Sequence, residues 1–158
     1  MEIGATKAVQ DRLKTTKIEE SKGASLVFCW DTHLTKIKGR NVLFIVNASN
    51  RYTIAMTDIE PRNWNYYAMY IIRVIHGMMQ EMGYSEEQIE QYFKMSGDTT
   101  ITKTHGRKSV GGINRMVMDA QYFGKKLEKE AKYQWELSEY LNRDICQPEG
   151  FDTYGYPS

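Results

Sequence analysis

The chain has 158 residues, 41% hydrophobic and 26% charged, with a formal net charge of +1; this excludes a disordered chain and a global field that draws it to nucleic acid or membrane. Two cysteines, Cys29 and Cys146, make neither a disulfide framework nor a metal site by themselves. No apolar run nears the roughly 20 residues of a membrane span, and Glu2 stands where an export signal would be apolar, so a reducing cytoplasm is the expected setting.

In chain order, Ala5–Lys14 reads as a short helix with Ala8, Val9 and Leu13 on one side, followed by a polar loop through Gly23. Leu26–Trp30 is a compact apolar run. Thr32–Ile37 alternates weakly, Lys38–Asn41 is a turn, and Val42–Val46 is a continuous apolar strand. Asn47–Asn50 is a second turn, and Arg51–Met56 the returning strand of an antiparallel meander.

Pro61 suits the first turn of a helix. From Trp64, the positions Tyr67, Ala68, Ile71, Ile72, Ile75, Met78, Met79 and Met82 keep helical spacing, and Gly83 is a C-cap candidate. Ser85–Gln88 matches a capping box for a further helix to about Met95. Thr99–Thr104 is threonine-rich and reads as a strand. A long C-terminal helix is expected to open at Ser109. Val110, Ile113, Val117, Ala120, Leu127 and Ala131 share a face, and the helix either continues or breaks and restarts through Trp135, Leu137 and Leu141. The expected fold is α+β: a small antiparallel meander sheet with one further strand, packed against three to four helices, as a single domain over 1–145. Residues 146–158 form an aromatic, Gly- and Pro-containing tail with Phe151, Tyr154 and Tyr156.

Two blocks carry a family resemblance. Trp30–Tyr52, W-D-T-H-L-T-K-I-K-G-R-N-V-L-F-I-V-N-A-S-N-R-Y, and Ile101–Arg115, I-T-K-T-H-G-R-K-S-V-G-G-I-N-R, resemble a family of small bacterial and mobile-element proteins known only as a domain of unknown function. The resemblance spans roughly residues 5–130 and brings no activity with it. It implies that Trp30, Asn47, Arg51, Lys103, Thr104, Arg107, Ser109 and Asn114 matter together. The chain departs from the family where Asp31 stands in place of a frequent His, and where His33 stands in place of a frequent Asn.

The basic turn is the foremost candidate site. Lys103, His105, Arg107 and Lys108 crowd the expected helix start at Ser109, where free N–H groups and partial positive charge favour an anion. Gly111 and Gly112 would let a ligand approach the backbone. The competing reading is a solvated loop with Ser109 as a simple cap. Asn47 and Arg51 either close that site from the sheet side or are turn and surface residues. His76 reads as a core or boundary residue, and Cys29 as inert packing. His105 is the histidine best placed for proton chemistry; neighbouring cations would keep it neutral near pH 7, and Asp98 is its nearest carboxylate in the chain. No metal-ligand spacing, P-loop or dinucleotide fingerprint occurs. His33, near Trp30, completes the candidate set.

The expected function is non-catalytic binding of a small anionic, nucleotide-like ligand, with sequestration of a host nucleotide signal as its sharpest form. The alternatives are a nucleic-acid-binding regulator using the basic turn and a nucleotide-processing hydrolase centred on His105. No cofactor or metal is expected. A homodimer or higher homo-oligomer is expected, with the aromatic tail docked on a neighbouring subunit or over its ligand site; the competing reading docks it back on its own chain.

Overall fold

A computed structural model describes residues 1–13, 18–143, 153 and 155–157. Five strands, β1 (Glu2–Ala5), β2 (Cys29–Ile37), β3 (Arg40–Asn47), β4 (Thr53–Thr57) and β5 (Thr100–Thr102), form one sheet in the order β4-β3-β2-β1-β5. The meander β2-β3-β4 is antiparallel, as its turns demand. β1, however, pairs in parallel with both β2 and β5, so the sheet is mixed and not a purely antiparallel meander. A parallel neighbour needs a crossover, and the segment after β1 supplies it with helix α1 (Lys7–Leu13).

Period-two alternation in the strands loads both faces of the sheet. One face carries Ile3, Trp30, Leu43, Ile45 and Ile54 against α1, α2 (Pro61–Asn65), α3 (Tyr67–Glu81) and α4 (Glu86–Ser96). The other carries Ile37, Val42, Phe44, Val46 and Ala55 against α5 (Arg107–Gln121) and α6 (Trp135–Asn142). Helix α4 opens with the capping box of Ser85 and Gln88.

The long C-terminal helix is two helices, α5 and α6. The intervening segment does different work: it runs along the outer edge of β4. Thr57 N–H donates to the Lys132 carbonyl at 2.7 Å, and Gln134 N–H to the Ala55 carbonyl at 2.9 Å. The buried Gln134 amide donates to the Ala131 and Glu128 carbonyls and to the Thr57 hydroxyl. These bonds satisfy a sheet edge that a continuous helix would leave open. The expected tail docking, including Cys146, Phe151 and Tyr154, lies outside the described residues. Among the described residues no helix is long and apolar enough to cross a membrane.

Candidate functional site

Consecutive residues of β2 build two unlike places, one on each face of the sheet. Cys29 and Asp31 point to the α5 side. Glu2 is the register neighbour of Cys29, and Gly4 that of Asp31. At Gly4 a Cβ would overlap Asp31 Oδ1 and lie 3.1 Å from Thr104 Cα, so only glycine leaves room for the carboxylate. β5 then delivers His105 into this space, four residues before Ser109 in α5.

The result is a buried charged cluster. His105 Nδ1–H donates to Asp31 Oδ1 at 2.6 Å, and Nε2–H donates to Glu2 Oε2 at 2.9 Å. Asp31 also accepts from the His105 backbone N–H at 3.2 Å and from the Ser109 hydroxyl. Glu2 accepts from the Ser21 hydroxyl at 2.6 Å and from Lys22 N–H at 2.8 Å. The side chains of His105, Glu2 and Asp31 are 3%, 5% and 0% exposed. Burial by itself would lower the His105 pKa. The hydrogen bonds to Asp31, Cys29 and Glu2, with the Asp31 charge, outweigh it and push the pKa up to about 11. Glu2 shows the mirror effect. Burial raises it, but bonds from Ser21, His105 and Lys22 prevail and hold its carboxyl below the usual range.

This corrects three expectations. His105 is an imidazolium near pH 7, not a neutral base, and its partners are Asp31 and Glu2, not Asp98. With both ring nitrogens donating to buried carboxylates, it has no lone pair to offer a substrate. Ser109 is not the helix cap either. Gly106, with φ 92°, takes the N-cap position, and the Ser109 hydroxyl is spent on Asp31.

The remaining residues of the basic turn are dispersed. Lys103 pairs with Glu20. Thr104 is half-buried, and its carbonyl accepts from Gly106 N–H at 3.0 Å. Arg107, Lys108 and Asn114 are exposed. Arg51, with φ 67°, does reach the helix start, though by donating to the carbonyls of Lys108 and Ser109 at 2.6 and 3.4 Å. Its guanidinium fills the space beside Gly112 that a ligand was expected to use. His33 is half-buried, its Nδ1 lies 3.0 Å from the Thr6 hydroxyl, and desolvation lowers its pKa. Asn47 is a turn former: its Oδ1 accepts from Ser49 and Asn50 N–H, and its Nδ2 donates to the Val27 carbonyl.

On the opposite face Trp30 lines a pocket of about 470 Å³ between the start of β2, the β3–β4 turn and helices α3 and α4. Trp30, Tyr52, Tyr84 and Tyr92 supply aromatic surface; Met78, Met79, Met82 and Met95 supply flexible apolar surface. Polar lining comes from the amides Asn47, Asn50, Gln88 and Gln91, and none of the lining residues is charged. Trp30 Nε1–H donates to Tyr92 Oη at 2.9 Å, and Tyr92 O–H to the Val27 carbonyl at 2.8 Å, which fixes both rings. Burial pushes the Tyr92 pKa up to about 12, so its phenol keeps this proton. Asn50 and Tyr52 face the pocket while Arg51, between them, turns to α5.

The sequence pattern points to Trp30 and Asn47 of the pocket but to neither Glu2 nor Asp31 of the cluster. The available signals were the departure at Asp31 and an acidic residue in the short run E-I-G-A.

The fold and these two sites define a small α+β protein with a mixed five-stranded sheet, a buried His–carboxylate cluster and an uncharged aromatic pocket. Over residues 2–158 the chain matches the family described as a domain of unknown function, DUF6933, and it belongs to that family. No curated protein and no solved structure matches it.

Proposed function

We propose that this chain binds a small molecule without altering it, and that a flat, uncharged, nucleobase-like part of the ligand sits in the Trp30–Tyr92 pocket. The observation that carries this reading is a pocket of about 470 Å³ walled by aromatics and methionines, with amides and no charges. Such a lining suits a planar ring with hydrogen-bonding edges, the rings stacking and the amides orienting. It does not suit a buried phosphate, which requires cations or free N–H groups. The phosphate of a nucleotide-like ligand therefore stays outside the pocket, in solvent or toward Arg107 and Lys108. Sequestration of a nucleotide signal remains the sharpest form of the proposal, and a homodimer its assembly, to be read by light scattering of the full chain.

The test is calorimetry and tryptophan fluorescence with matched nucleosides and nucleotides. Nucleoside and nucleotide should bind within a few-fold of each other, and Met82→Trp, which fills the pocket wall, should abolish both. Binding confined to the phosphorylated form, lost in Arg107→Ala with Lys108→Ala and kept in Met82→Trp, would move the site to the basic turn. That result would favour an anion or nucleic-acid site there.

A further inference from the structure

The buried cluster holds one further side chain with a donor atom, the thiol of Cys29. Cys29 is 0% exposed and is the register neighbour of Glu2. Its thiol lies 3.7 and 3.4 Å from the Ala24 and Ser25 carbonyls and also faces His105, with which it shares a hydrogen bond. One donor atom from each of Glu2, Cys29 and His105 lies within 4.8 Å of the other two. All three residues are more than nine-tenths buried.

We propose that Glu2, Cys29 and His105 form a binding site for a divalent transition-metal ion of the zinc class, with Asp31 orienting His105 from behind. The donor set is the first argument. A thiolate, an imidazole and a carboxylate suit Zn²⁺ or Co²⁺ and discriminate against Ca²⁺ and Mg²⁺, which prefer oxygen alone. Geometry is the second. Tetrahedral bonds of about 2.0–2.3 Å separate ligand atoms by roughly 3.3–3.7 Å, and donors already within 4.8 Å need only small side-chain shifts to reach that spacing.

The third argument is the shell behind the ligands. A metal-bound histidine nearly always donates its other ring N–H to a carboxylate, a backbone carbonyl or a water, and His105 Nδ1 already does so to Asp31 at 2.6 Å. Asp31 is itself held by the His105 backbone N–H and the Ser109 hydroxyl, and Gly4 is the residue that makes space for it. The fourth argument is charge. Without metal, two carboxylates face one imidazolium and a thiol. When a dication binds, the proton leaves His105 Nε2 for solvent and the thiol proton follows. The cluster then has the same net charge as before, so the buried site gains no uncompensated charge. Three protein ligands leave one coordination position for water.

The site lies on the opposite face of β2 from the pocket and does not depend on it. The test uses the full chain, stripped with chelator and then titrated with Zn²⁺ and Co²⁺ in buffers of different ionisation enthalpy. One metal ion per chain and release of about two protons per ion are expected. The Co²⁺ form should show thiolate-to-cobalt charge-transfer absorption. Cys29→Ser should remove that absorption and weaken Zn²⁺ binding at least tenfold, while Cys146→Ser leaves both unchanged. Absence of stoichiometric binding overturns the proposal, as does an absorption that survives in Cys29→Ser. Should Cys29→Ser fail to fold, Cys146→Ser decides: loss of the absorption there overturns the assignment, and its persistence supports it.

Discussion

The two sides of β2 solve opposite problems. Toward α3 and α4, Trp30 lies in a pocket where fit comes from rings and methionines, and the hydrogen bonds serve to hold those rings still. Toward α5, Asp31 lies among ionised groups closed off from the surface, where every charge needs a partner. The pocket tolerates change, because methionine repacks and the exposed amides of Gln88 and Gln91 reach solvent. The cluster does not, because removing one partner strands the others in a low-dielectric interior. Adjacent residues thus differ in what their loss should cost.

The largest expected effect is that of Asp31→Ala. It leaves the His105 imidazolium with one carboxylate and the Ser109 hydroxyl with none. Breaking a buried pair in this way costs about 3–5 kcal/mol, to be read from urea denaturation. A loss under about 1 kcal/mol would mean that the cluster is not tightly coupled. The pH dependence sharpens the same point for the metal-free protein. The folded His105 pKa is about 11, above its ordinary value of 6.5. Its contribution is therefore complete below pH 6.5 and declines as the pH rises toward 11. Wild-type stability should fall across that window more steeply than that of Asp31→Ala.

Next in size is Gly4→Ala. The new methyl group meets the Asp31 carboxylate, which is held by His105 and Ser109, and beyond it the Thr104 backbone. Neither can step aside, so overpacking of about 1–3 kcal/mol is expected in the same denaturation experiment. Wild-type stability in this variant would show that the Asp31 side of β2 is as forgiving as the pocket side.

Much of the scaffold was legible because its signals are local. The meander announces itself through apolar runs separated by Lys38–Asn41 and Asn47–Asn50, and α4 through its capping box. β1 has no such signal. It has four residues, E-I-G-A, and every bond that makes it a strand comes from β2 and β5, far along the chain. The cluster was hidden for the same reason, since His105 stands 103 residues from Glu2 and 74 from Asp31. Ser109 misled because N-cap chemistry is a local rule, and a tertiary partner, Asp31, took its hydroxyl. Arg51 reaches the start of α5 from the β3–β4 turn by donating to the Lys108 and Ser109 carbonyls, a contact no local pattern announces.

The smallest expected effect is that of Gly112→Ala, and it tests the seam between the two sides. As at Gly4, an added Cβ overlaps a side chain, here the guanidinium of Arg51. The overlap has a different meaning. Arg51 is the far end of a long side chain on the β3–β4 turn, bonded to two helix carbonyls near solvent, and it can swing away. That loses hydrogen bonds worth about 1 kcal/mol. Alanine in place of a mid-helix glycine returns about as much through helix propensity. The net change should lie within roughly 0.5 kcal/mol of zero in thermal or urea denaturation. Arg51→Ala should then be additive with Gly4→Ala but not with Gly112→Ala, since only the latter pair shares a contact. Gly112→Ala as damaging as Gly4→Ala would show that Arg51 is locked in place, and that the turn joining pocket to α5 is as rigid as the Asp31 cluster.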